Sequence, residues 1–150
     1  MKLVRSGQDR FVFQLGSREK ELLAQILGLY PCIPPAHQTL SKTSALDESG
    51  QRLLEEALAE QRRENQKQVQ ALLADSHRLK QNRQDWTLSL SCGELEQLLQ
   101  ILNDVRVGSW ISLGSPDPSV EALEEKMAPA FWAMEMAGYF QMRFLEVLES

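Results

Sequence analysis

The sequence predicts a mostly α fold, a helical bundle carrying a small antiparallel sheet of two or three strands. Three observations predict it. Apolar residues recur at helical spacing through residues 17–30, 47–84, 92–113 and 129–149. Only three short runs are rich in β-formers, at 2–5, 10–15 and 86–90. Finally, 150 residues with 43% apolar side chains suit one hydrophobic core in a single domain, 1–150.

The first unit spans residues 1–30. Leu3 and Val4 lead into the turn signal Ser6-Gly7-Gln8-Asp9, and Arg10-Phe11-Val12-Phe13-Gln14-Leu15 returns as the second strand of a hairpin. Gly16 or Ser17 then caps a helix whose first turn holds Glu19 and Glu21, where the positive end of the helix dipole favours acid. Leu22, Leu23, Ile26, Leu27 and Tyr30 form its apolar stripe, and Pro31 stops it. Residues 31–46 hold three of the six prolines and read as a stiff linker, packed over the core by Ile33 and Leu40. From 47 to 84 runs a proline-free stretch rich in Gln, Glu, Arg, Leu and Ala, read as one long helix or two joined by a small kink. Its apolar residues cluster at its ends, so both ends should pack and the polar centre should bridge through solvent.

Strand 86–90, Trp-Thr-Leu-Ser-Leu, should pair beside 10–15, because an isolated two-stranded hairpin is marginal. Ser91-Cys-Gly-Glu94 fits a capping box and starts a core helix reaching Leu113. Gly114-Ser-Pro-Asp-Pro118 breaks it. The C-terminal helices, 119–149, comprise a short acidic one and a final one from Pro129. That last helix is apolar around most of its circumference and should be buried on several sides, with Glu135, Tyr139, Arg143 and Glu146 as its polar stripe.

Residues 11–27 align without gaps on 86–102, with seven of 17 positions identical, among them Glu19/Glu94, Leu23/Leu98 and Ile26/Ile101. Duplication and convergence on one strand–cap–helix grammar both explain the match. Either places two equivalent strand-to-helix units in the fold.

The balance of 16 basic to 21 acidic residues gives a net charge of −5, which opposes the cation surplus that nucleic acid demands. In 47–84 seven acids alternate with seven bases, the pattern of a solvated helix face. Charges at Glu135, Arg143 and Glu146 interrupt the longest apolar run, so no membrane span is expected. Met1-Lys2-Leu3-Val4-Arg5 has no apolar signal core, which points to the cytoplasm and to reduced thiols at Cys32 and Cys92. Those two cysteines with His37 and His77 lack the close ligand spacing of a zinc site, and no phosphate loop or nucleophile motif is present. No metal, cofactor or catalytic residue is expected.

One position stands out. Arg106 falls within the leucine face Leu95, Leu99, Leu102 and Leu113, with Asn103 and Trp110 at the margin and Asp104 directed away toward Gln97 and Gln100. A charge among leucines needs a carboxylate or several backbone carbonyls, and Glu19 or Glu135 is the expected acid. If instead a cleft opens there, Asn103, Arg106 and Trp110 are the candidate binding residues.

At Leu-Asn-Asp-Val-Arg-Val-Gly-Ser-Trp-Ile-Ser-Leu, 102–113, the chain resembles an uncharacterised bacterial family, the domain of unknown function numbered two-thousand-and-seventeen. The resemblance also covers Phe11–Leu15, Glu19 to Leu23, Leu88–Ser91 and the aromatic helix Phe131 to Leu148, with residues 31–85 departing from it. It implies no activity, cofactor or catalytic residue. The functional expectation is a non-enzymatic interaction or regulatory protein, with a protein partner or a homodimer and the long helix as contact surface. The alternative is an anion-binding or small-molecule protein, or an enzyme of unrecognised type, using a pocket around Arg106 and Trp110.

Overall fold

The computed structural model describes residues 1–34, 47–114 and 128–149. Its elements in chain order are β1 (Lys2–Ser6), β2 (Phe11–Gly16), α1 (Ser17–Gly28), α2 (Glu48–Ala74), β3 (Leu79–Asn82), β4 (Asp85–Leu90), α3 (Cys92–Ser112) and α4 (Ala128–Glu149). The expected hairpin forms, with Leu3 opposite Phe13, and β4 pairs antiparallel with β2 from Phe11–Leu90 to Gly16–Asp85. Helices dominate as the sequence predicts, but the sheet has four strands, in the order β1-β2-β4-β3, not two or three.

The fourth strand comes out of the expected long helix. That helix ends at Ala74, because Asp75 turns the chain: its side chain accepts from the His77 amide at 2.9 Å and its carbonyl from Leu79 at 2.9 Å. Leu79-Lys80-Gln81-Asn82 then runs along β4 as an edge strand with only Leu79 buried. Its polar composition carries no strand signal, and such composition suits an edge, which must not recruit another chain. The expected short helix at 119–126 and linker residues 35–46 lie outside the described residues.

Alternation along the central strands puts Phe13, Leu15, Leu88 and Leu90 on one face, each at most 1% exposed. The other face shows Val12, Gln14, Thr87 and Ser89, half-buried. All four helices cover the apolar side or its margin. α4 seats Phe144 edge-on against Phe13, ring centres 5.0 Å apart, and α1 and α3 complete the core with Leu23, Ile26, Leu98, Ile101 and Leu102. Each central strand hands over to a helix through a glutamate at the third helical position. Glu19 accepts from the Gly16 amide at 3.2 Å and Glu94 from the Ser91 amide at 2.9 Å. α2 differs from expectation: its C-terminal end buries Val69 and Leu72, but Leu53 near its start is 66% exposed.

The β3–β4 connection is the two-residue loop Arg83-Gln84, and Arg83 adopts φ 57°, a conformation that favours glycine. Arg83→Gly should raise stability by about 0.5–1 kcal/mol and Arg83→Val should lower it, measured by urea denaturation.

Candidate functional site

Asn103, Arg106 and Trp110 occupy successive turns of α3, so the helix brings all three onto one strip beside α4. Arg106 is half-buried rather than enclosed. Its Nε donates to the Gln141 side-chain oxygen at 3.1 Å and its terminal nitrogen to Asn103 Oδ1 at 2.8 Å. Among the described residues no carboxylate partners it. Glu135 is exposed on the outer side of α4. Glu19 is engaged by the Met1 amino group, with the Tyr139 hydroxyl at 3.5 Å. Water reaches a half-buried guanidinium, so two amide oxygens suffice where a fully enclosed one would demand an acid.

Arg106 lines a shallow groove of about 350 Å³ with Gly138, Gln141, Met142, Leu145, Glu146 and Glu149. Two carboxylates share it with one arginine, so the groove offers an anion no net attraction. Trp110, 41% exposed, caps the same strip one turn on. The carboxylates of Glu135 and Glu146 are both exposed, and Glu146 pairs with Arg143 at 3.0 Å. Neither has the enclosed setting of a catalytic acid. His77 sits exposed on the turn after α2, His37 lies outside the described residues, and among the described residues no three metal-ligating side chains converge.

The buried charge on α3 is Asp104, which sequence reasoning directed toward solvent-side glutamines. Asp104 is 7% exposed, and its Oδ1 accepts from the Cys32 amide at 2.6 Å and the Ile33 amide at 3.3 Å. One turn on, Gly108 leaves room for the same loop: a Cβ there would stand 2.3 Å from the Cys32 carbonyl carbon. An acid and a glycine four residues apart thus form a socket for residues 31–33. α2 reaches this loop too, with the Arg62 guanidinium on the Ile33 carbonyl and Asn65 donating to the Tyr30 hydroxyl at 3.1 Å. Gln97 of α3 donates to Asn65 at 3.2 Å and to Gln68, which extends a polar seam along α2. The legible signal was the pair Asp104 and Gly108, two residues that leucine packing alone would not select.

Burial pushes the Asp104 carboxyl above its usual range, although the Cys32 and Ile33 amides and Arg62 pull it down. Burial likewise pushes the Cys32 thiol up to about 11, with the Asp104 carboxylate adding to the rise and Arg62 opposing it. Cys32 is therefore a protonated thiol at neutral pH, a poor nucleophile held for its backbone contacts. At Glu19 burial also pushes up, but the amino terminus, the Gly16 amide and Tyr139 outweigh it and hold the carboxyl below its usual range.

Among the described residues, most of the exposed large apolar side chains lie on α4, not on the long helix. Phe131, Trp132, Tyr139, Met142, Leu145 and Leu148 are 37–53% exposed, while Ala133, Ala137, Phe140 and Phe144 on the opposite side are at most 3% exposed. α4 is thus buried on one side only, which corrects the expectation drawn from its apolar circumference. On α2, Leu53 is the only large apolar side chain among those exposed.

Asp104→Ala should strand two buried amides and cost about 2–4 kcal/mol in chemical denaturation, whereas Asp104→Asn keeps an acceptor and should cost under about 1 kcal/mol. Because the folded-state pKa of Asp104 is raised, its ionisation opposes folding. Wild type should therefore lose stability relative to Asp104→Asn as pH rises from the ordinary aspartate range through the elevated one. Separately, iodoacetamide at pH 8 should label Cys32 in the folded chain roughly 100-fold more slowly than a free cysteine, a ratio that mass spectrometry reads and unfolding abolishes.

No protein-family model matches the chain, and no curated protein or solved structure matches it. The functional reading rests on the residues above.

Proposed function

We propose that this is a non-enzymatic interaction or regulatory protein acting in the cytoplasm, and that its contact surface is the outer side of α4 together with Trp110. The observation that carries the reading is the exposure of six large apolar side chains on that one helix, Met142 at 53% foremost. Large apolar side chains exposed together on one helix mark an interaction site more often than they mark solvent-facing structure. The enzymatic and anion-binding alternatives find less support. Arg106 is already engaged by Asn103 and Gln141, and Glu146 and Glu149 share its groove. Kinship with the uncharacterised bacterial family belongs to the same proposal and brings no activity with it.

The test is affinity capture from the native host with wild type and with Met142→Asp/Leu145→Asp. Both side chains are exposed, so the variant should melt within a few degrees of wild type yet lose the captured partners. Equal capture by both would remove α4 as the contact surface. In parallel, phosphate should leave the melting temperature of wild type and of Arg106→Ala alike. A rise confined to wild type would favour the anion-binding alternative.

A further inference from the structure

We propose that the cavity between α2, α3 and the loop after α1 binds a small zwitterion, an α-amino acid with a short side chain, its carboxylate on Arg62 and its ammonium on Asp104. The site shares no residue with the outer side of α4, so it goes beyond the contact surface and stands or falls without it.

The local sequence makes this cavity polar. Leu58, Gln61, Arg62 and Asn65 follow one another on one face of α2, and they line the cavity with Gln100, Ile101 and Asp104 of α3 and with Tyr30. Two core helices meeting here would close on leucines. Instead they leave about 180 Å³, room for about six waters or for one molecule of about that many heavy atoms. Tyr30, Ile101 and Asp104 are buried and form the inner wall. Leu58, Arg62 and Asn65 are half-buried, and the exposed Gln61 and Gln100 form the open side.

The hydrogen-bonding groups left over decide the ligand. A terminal nitrogen of Arg62 holds the Ile33 carbonyl, but its Nε is buried with no partner. Asp104 Oδ1 takes the Cys32 and Ile33 amides, and among the described residues Oδ2 takes no donor. Arg62 is near enough to pull the Asp104 carboxyl down, yet among the described residues neither charge is in an ion pair. A buried donor without an acceptor is destabilising, and a ligand carboxylate on Arg62 removes that deficit. One cation and one anion give the cavity no net charge, so it attracts neither a simple anion nor a simple cation. A molecule carrying both charges satisfies both groups at once. Leu58 and Ile101 give its side chain an apolar wall, and the volume limits that side chain to the size of alanine, serine or threonine. The larger cavity at the end of α2, about 530 Å³, lacks this deficit, because its Arg78 already meets Asp75 at 3.4 Å and Glu94.

The experiment titrates the full chain with L-alanine, L-serine and L-threonine by heteronuclear NMR. Propionate, which lacks the ammonium, and ethylamine, which lacks the carboxylate, are titrated beside them. L-Alanine should bind about tenfold or more tightly than either analogue, with shifts centred on Arg62, Asn65 and Asp104. Asp104→Asn keeps an acceptor for the loop amides and should erase the preference for L-alanine over propionate. Arg62→Gln should erase the preference over ethylamine. Arg10→Gln, in the larger cavity, and Met142→Asp/Leu145→Asp, on α4, should bind L-alanine as wild type does. Circular dichroism checks that each variant is folded, and the comparison of ligands on wild type needs no variant. Three results would each overturn the zwitterion site: no binding of any of the amino acids, L-alanine no tighter than one of the analogues, or both preferences surviving in the two cavity variants. None of them touches the α4 reading, which capture from the host decides.

Discussion

The antiparallel pairing of β2 with β4 is the constraint from which the other packing follows. It joins two strands separated by a long stretch of chain, and its register sets Phe13 opposite Leu88 and Phe11 opposite Leu90. A one-residue slip would turn every one of those side chains to the outer face. Each strand ends in a glutamate-capped helix, and the strands run in opposite directions. α1 and α3 therefore leave the sheet from opposite ends and meet over the same apolar face. α4 fills the remaining space, with Phe144 on Phe13. Once α4 spends one side on that core, its other side has no element of the described chain to cover it.

α3 carries two different kinds of contact on its remaining surface, and they depend on different chemistry. Toward α4 it presents Arg106, whose half-buried charge is met by amide oxygens and by water. Toward the loop after α1 it presents Asp104 and Gly108, which bind backbone rather than side chains. The second contact is the more demanding. Two amide donors and a van der Waals fit fix residues 31–33 in place, and Arg62 and Asn65 then attach α2 to that same loop and to Tyr30. The attachment of α2 midway along its length is polar throughout, which explains why its central residues lack the apolar stripe of a core helix. Its one strong apolar anchor is the Val69 and Leu72 end.

What the sequence disclosed was local chemistry. The hairpin at Ser6-Gly7-Gln8-Asp9, the strand beginning at Trp86 and the Ser91–Glu94 capping box each act within a few residues, and each formed at the expected place. The strip of Asn103, Arg106 and Trp110 followed from helical spacing alone. What stayed hidden was set by distant chain. Lys80, Gln81 and Asn82 have no β preference of their own and become a strand because β4 offers them an edge. A helical wheel placed Asp104 among glutamines correctly by angle, but the wheel is silent about the loop, 72 residues earlier in the chain, that covers that angle. The apolar circumference of α4 suggested burial on several sides, because the sequence does not say how many neighbours a helix will have.

That last difference bears on function. An exposed apolar helix face carries a solubility cost, and glutamates interspersed along it reduce that cost by keeping the face hydrated when free. On the proposed reading, the apolar positions along the outer side of α4 are the contact, and the glutamates between them keep it in water when free. A face whose only purpose was to meet solvent would need neither Met142 nor Leu145. The combination suits the contact surface proposed for α4, an apolar strip kept in water by the acids beside it.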